Sequence, residues 1–160
     1  LHGYFRAPEH NALAFTLDGF YKTGDLMRQH PSGNLVVEGR KKDLINRGGE
    51  KISAEEVENL ILSHPAVENV ACVPMPDPVL GEPMCAFIIP RSGATVTLED
   101  LTRFLLDKGI AKYKLPERVE PVDEFPTSAF GKVSKQALTQ QVAEQLAVEA
   151  SAARERPAKG

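Results

Sequence analysis

Apolar positions fall into a helical repeat in two segments of the chain and into short runs in several others. Val57, Leu60 and Ile61 share one face of a predicted helix behind Ser53, and Ser53 with Glu56 three residues on reads as a capping box. His64-Pro65 ends that helix. Leu98, Leu101, Phe104 and Leu105 repeat at the same spacing, with Thr97 and Asp100 opening the helix and Gly109 as its C-cap. A last helix is predicted from about Ser134 to about Ala150. Between them, 67–73 and 83–89 read as strands separated by Pro74, Pro76 and Pro78. Residues 119–122 form a shorter strand, and 125–131 read as a loop.

The first forty residues are patterned differently. Pro8-Glu9 is a helix-start signal ahead of Leu13, Ala14 and Phe15, and Asp18-Gly19 is a turn. Residues 20–28 and 35–39 are strand-like and joined through 30–34, which predicts a β-hairpin with a loose loop. This stretch has too few apolar residues to bury a core alone, so it reads as the edge of something larger. The charged run Arg40-Lys41-Lys42-Asp43 makes a linker. Beyond it, 44–47 and 51–53 flank Gly48-Gly49, a short hairpin or bend whose glycines permit positive φ and close backbone approach. The expected fold class is α+β. It consists of a small domain over 42–150, with a short β-hairpin and a central mixed sheet packed by about three helices. A β-rich remnant of a larger domain precedes it over 1–41, and a disordered tail follows over 151–160.

Composition narrows the function classes. At 160 residues the length suits one ordinary domain, or one small domain plus part of another. A net charge of −3 gives no basic excess for nucleic acid, and no apolar run approaches a membrane span. The start Leu1-His2-Gly3-Tyr4 lacks both an initiator Met and a secretory pattern, and reads as the middle of a longer chain. Cys72 and Cys85 lie within apolar runs and read as buried free thiols, which points to a reducing, cytoplasmic setting. His2, His10, His30 and His64 are scattered without metal-ligand spacing.

Three short segments carry candidate chemistry. In Tyr21-Lys22-Thr23-Gly24-Asp25-Leu26, Asp25 can present two carboxylate oxygens to a vicinal diol such as ribose; a turn aspartate is the plain alternative. In Gly39-Arg40-Lys41-Lys42-Asp43, the planar fork of Arg40 suits ribose or phosphate oxygens, against the alternative of a solvated basic run. Gly48-Gly49-Glu50-Lys51-Ile52 follows closely. In Pro126-Thr127-Ser128-Ala129-Phe130-Gly131-Lys132-Val133, a Gly-Lys pair in a polar loop can send an ammonium arm into a site built elsewhere. Taken singly, each segment is common.

In this order and spacing the three resemble the adenylate-forming ligases: acyl- and aryl-CoA synthetases, nonribosomal-peptide adenylation domains and luciferases. Gly19-Phe20-Tyr21, residues 45–52 and Ala111-Lys112-Tyr113-Lys114-Leu115-Pro116 extend the match to about residue 145. The sequence is most similar to the stand-alone aryl-acid ligases of siderophore synthesis, which activate 2,3-dihydroxybenzoate or salicylate. The resemblance implies that Asp25 and Arg40 bind the nucleotide, that Lys42 is a hinge, and that Gly48 and Gly49 line the thiol tunnel. Lys132 would bridge the α-phosphate and the acid carboxylate. It implies ATP and Mg²⁺ as cofactors, the metal being held mainly by a large N-terminal domain of the same enzyme. It also implies an aryl acid as substrate and a phosphopantetheinylated aryl carrier protein as partner. The family's Gly-rich phosphate loop and acid pocket have no counterpart in these residues, so the chain alone is expected to be inactive. The competing readings are an acyl- or aryl-CoA ligase using free CoA, and a noncatalytic module that docks a carrier protein.

Overall fold

The computed structural model describes residues 3–129 and 131–154. The chain falls into two compact units, Leu1–Lys42 and Asp43–Gly160.

In the first unit, α1 spans Pro8–Ala14 with proline in its first turn, where the missing N–H costs nothing. Strands β1 (Asp25–Gln29) and β2 (Leu35–Arg40) pair antiparallel through the loop at 30–34. The expected strand over 20–28 begins only at Asp25. Ahead of it stands a single bridge between Phe15 and Tyr21, and Gly24 turns the backbone at φ +80°. Leu13, Leu17, Phe20, Met27, Leu35 and Val37 are exposed, so this unit has no core of its own among the described residues.

In the second unit, β3 (Leu44–Arg47) and β4 (Glu50–Ser53) make a tight hairpin that runs directly into α2 (Ala54–Ile61). The Ser53 hydroxyl accepts the Glu56 N–H, as the predicted cap requires, while the Glu56 carboxylate holds Lys114 Nζ at 2.7 Å. Strands β5 (Val67–Pro74), β6 (Met84–Pro90) and β7 (Arg118–Pro121) form the mixed sheet. β5 and β6 are antiparallel; β6 and β7 are parallel, joined by the crossover that contains α3 (Leu98–Asp107). Helix α4 spans Lys135–Arg154.

Side-chain alternation along β5 and β6 divides the core in two. Val67, Val70, Cys72, Met84, Ala86 and Ile88 pack with the β3–β4 hairpin, α2 and α3. Ala71, Val73, Cys85 and Phe87 pack with Leu138 and Val142 of α4. The two cysteines, buried and free as expected, therefore sit on opposite faces of the sheet. Burial pushes the Cys85 thiol up to about 12 and Cys72 also well above the usual range. The architecture is α+β with three helices on a mixed sheet, as the patterning predicts. One expectation is corrected: α4 does not end near Ala150 but continues through Ser151–Arg154, a run rich in the strong helix former alanine. The remaining residues of the expected tail, 155–160, lie outside the described residues.

Candidate functional site

The predicted site residues lie in both units. Asp25 opens β1, Arg40 closes β2, and they are the first register pair of that hairpin. Their side chains meet, with Arg40 Nε 3.2 Å from an Asp25 carboxylate oxygen. This meeting depends on a one-residue slip in the ladder between Leu26 and Met27. Continued without the bulge, the register of Met27 with Val37 would set Asp25 against Gly39. Bulges re-aim side chains in this way near functional sites. Thr23 Oγ1 accepts the Asp25 N–H at 3.1 Å, and the Lys41 N–H donates to the Gly24 carbonyl at 2.8 Å. Beside the pair, Thr23, Gly24, Arg40, Lys41 and Lys42 line an open groove of about 550 Å³. A carboxylate steered by a guanidinium, next to two lysines, suits a ligand that carries both hydroxyls and phosphates.

Lys42 lies in a single 3₁₀ turn, Lys41–Asp43, that buries none of its residues. It stands at the division between the two units.

In the second unit, Gly48 and Gly49 are the two turn residues of the β3–β4 hairpin, at φ +56° and +93°. A two-residue hairpin turn with positive φ at both positions, as here, favours glycine at each. A Cβ added to either would meet nothing within 4 Å, so the turn presents bare backbone. Lys132 sits in a second small hairpin. Thr127 bridges Val133, the Ser128 N–H donates to the Lys132 carbonyl at 2.7 Å, and Ser128 Oγ accepts the Lys132 N–H. Its side chain is exposed, and no ion pair to it is seen among the described residues. The ammonium is thus carried on a closed loop, with no acid paired to it among the described residues. No group of three His, Cys, Asp or Glu among the described residues is placed to hold a metal ion.

Four residues to which the sequence assigned no role support this arrangement. Glu82 accepts the Asn46 N–H at 2.7 Å, and Glu117 binds the Arg47 guanidinium, both beside the Gly48–Gly49 turn. Glu58 takes Lys135 Nζ at 2.6 Å and fixes the start of α4, just beyond Lys132. Arg118 clasps Glu149 with two hydrogen bonds of 2.7–2.9 Å and secures the far part of that helix to β7. The Arg118 guanidinium holds the Glu149 carboxyl below the usual range. These partners are 31 to 77 residues apart in sequence, and local pattern gives no sign of them.

Residues 56–132 match the family model described as the AMP-binding enzyme C-terminal domain. Over 146 residues, 91% of this chain, the sequence is 56% identical to a 2,3-dihydroxybenzoate-AMP ligase of Bacillus subtilis, covering 27% of that protein. It is 58% identical over 136 residues to a salicylyl-CoA synthase / salicylate adenylyltransferase of a Streptomyces species, covering 85% of this chain and 25% of that one. The fold superposes on the crystal structure of ATP-bound MatB from Rhodopseudomonas palustris with a TM-score of 0.78 at 34% identity, over 88% of this chain and 28% of MatB. Residues 56–132 thus carry the AMP-binding enzyme C-terminal domain. Within that family the chain resembles the aryl-acid–AMP ligases of siderophore biosynthesis. It spans about a quarter of the length of the curated relatives it matches.

Proposed function

We propose that this chain is part of an ATP-dependent aryl-acid–AMP ligase of the 2,3-dihydroxybenzoate or salicylate type. Such an enzyme forms an aryl-adenylate and passes the aryl group to the phosphopantetheine thiol of an aryl carrier protein in cytoplasmic siderophore biosynthesis. The carrying observation is the division of the chemical groups: the Asp25–Arg40 pair belongs to one unit, while the exposed Lys132 and the Gly48–Gly49 turn belong to the other. Residues 1–41 would be the end of a large adenylation domain, which supplies the phosphate loop, the acid pocket and the Mg²⁺ site. Residues 42–150 would be the small mobile domain.

In the first step the acid's carboxylate attacks the α-phosphorus of ATP and pyrophosphate leaves. Asp25 accepts hydrogen bonds from the ribose hydroxyls, and Arg40 keeps that carboxylate aimed. Lys132 reaches the α-phosphate and the carboxylate together and offsets the negative charge that builds there. In the second step Lys132 withdraws as the small domain turns about Lys42, and the Gly48–Gly49 turn comes to line the path of the thiol. The thiolate attacks the acyl carbon of the adenylate, a thioester forms and AMP leaves. Using one small domain for two arrangements is a known way to complete a site in stages.

The similarity to a salicylyl-CoA synthase favours a second reading, in which free CoA is the acceptor. A single comparison tests both readings. The full-length protein should exchange pyrophosphate into ATP in the presence of 2,3-dihydroxybenzoate or salicylate, and the 160-residue chain alone should not. Enzyme-like exchange by the chain alone, or exchange by the full-length protein that ignores aryl acids, would refute the proposal. Acyl transfer to a loaded carrier against free CoA then separates the two acceptors.

A further inference from the structure

The loop between β5 and β6, residues 75–83, holds the Gly48–Gly49 turn from one side. The Gly48 N–H donates to the Leu80 carbonyl at 2.8 Å, and Arg47 and Gly81 form an antiparallel bridge. The Asn46 N–H donates to Glu82 at 2.7 Å. In addition, Glu117 takes the Arg47 guanidinium on one carboxylate oxygen and the Met84 N–H on the other, the latter at 2.8 Å. Three consecutive residues of the hairpin, Asn46, Arg47 and Gly48, are therefore fixed by groups outside it.

The loop is itself stiff. Asp77 and Gly81 exchange both backbone hydrogen bonds at 3.0 Å, and the Met75 N–H donates to the Pro83 carbonyl at 2.9 Å. The Asp77 carboxylate accepts the Leu80 and Val79 N–H groups at 2.7 and 2.8 Å, which holds its carboxyl below the usual range. The approach is also close, since a Cβ on Gly81 would stand 3.4 Å from the Asn46 carbonyl oxygen. Two glycines at a hairpin tip would otherwise be the most mobile backbone of the unit. The contacts convert that tip into a set position.

We propose that the 75–83 loop is a splint that sets the Gly48–Gly49 turn for thiol transfer, with Glu82 and Glu117 as positioning residues. The proposal rests on the reading of that turn as the thiol-facing surface. Neither carboxylate touches substrate in this account. Each acts by fixing backbone that the thiol arm must pass, so its loss slows acyl transfer and leaves adenylation alone.

The test uses full-length protein and measures each half-reaction separately: pyrophosphate exchange with the aryl acid, and single-turnover transfer from preformed aryl-adenylate to phosphopantetheine-loaded carrier and to CoA. Glu82→Ala removes the acceptor for the Asn46 N–H and should slow transfer on the order of tenfold. Exchange should stay within about twofold, and the melting temperature should be little changed. Glu82→Gln keeps an oxygen for that N–H and should restore most of the transfer rate, which a role resting on charge would not predict. Equal loss in both half-reactions, or loss in neither, overturns the splint. Gly49→Val separates the two layers of the argument. If it slows transfer while Glu82→Ala does not, the splint fails and the thiol-facing turn stands. If Gly49→Val leaves transfer untouched, the turn assignment fails and the splint falls with it.

Discussion

Replacing Glu58 by alanine should be among the most damaging single changes in the second unit outside its apolar core. The Glu58 side chain is 15% exposed and serves two elements at once. One oxygen accepts the N–H of Cys72, on the outer side of β5, the edge strand of the sheet, at 2.7 Å; it also lies 2.6 Å from Lys135 Nζ, at the first residue of α4. Removing it leaves the N–H of a residue that is 1% exposed without its acceptor, a cost of about 1–3 kcal/mol. It also leaves Lys135, 30% exposed, without its anion, worth at most about 1 kcal/mol at a site so open. The total expected for Glu58→Ala is about 1–4 kcal/mol. Lys135→Ala should cost about 1 kcal/mol, because Glu58 keeps the Cys72 N–H, and Glu58→Gln should fall between the two. Urea unfolding at neutral pH, followed to the midpoint with the slope unchanged, measures all three. Amide exchange at Cys72 should quicken in the alanine variant and hardly change in Lys135→Ala. Equal costs for Glu58→Ala and Lys135→Ala would refute the reasoning, since the edge-strand N–H would then be carrying nothing.

Three further outcomes are expected. Lys132→Ala in the full-length enzyme should remove most pyrophosphate exchange, by roughly 10²-fold or more, and spare transfer from supplied aryl-adenylate; equal loss in both would count against its role. Lys42→Pro fixes φ near −65° in the turn at 41–43 and should preserve adenylation while transfer falls by orders of magnitude, read by single turnover of each half-reaction on folded protein. Asp77→Asn tests a pH-dependent contribution to stability: hydrogen bonds from the Leu80 and Val79 N–H groups depress the folded carboxyl, so its stabilisation is full above the unfolded value of ~3.9 and is lost as pH falls through the lower folded value. The difference in urea midpoint between Asp77→Asn and the parent should therefore be largest near neutrality and shrink toward pH 2; a difference that grew on acidification would reverse the assignment.

What the sequence made legible was whatever a few neighbouring residues decide. Ser53 caps α2, Thr97 caps α3 and Gly48-Gly49 turns a hairpin, because each depends on groups within four residues. The division of the core by alternation along β5 and β6 was implicit in the two apolar runs, but their register was not. Nothing local says that Cys72 lies opposite Ala86, and so that Cys72 and Cys85 face different helices. Leu98 fits the apolar repeat of α3 and is nonetheless 37% exposed, since it stands in the first turn, at the rim of the contact. The site shows the same contrast. Motif order singles out Asp25, Arg40 and Lys132 as candidates. That Asp25 and Arg40 meet depends on a bulge, and that the Arg47 guanidinium is bound at all depends on Glu117, 70 residues away.

The same long-range contacts bear on how a small domain could serve two chemical steps. Lys132 stands on a closed hairpin, and α4 follows three residues later, tied at its start by Glu58 and further along by Arg118, with Leu138 and Val142 fully buried between the ties. The Gly48–Gly49 turn is held by the 75–83 loop and by Glu117. Neither surface is free to swing on its own frame, because each is fastened to the one sheet β5–β6–β7. If Lys132 acts in one step and the Gly48–Gly49 turn in the other, the exchange has to be a movement of the whole unit. The chain at 41–43 offers the conformational freedom for it: a single exposed 3₁₀ turn with no buried residue, where backbone angles can change without unpacking a core. Stiffness within the unit and freedom at its entry are then two requirements of one mechanism, and loosening either should uncouple the two half-reactions in opposite ways. A loosened splint lets the domain turn but blurs the thiol path, whereas a stiffened entry keeps the path intact but prevents it from arriving.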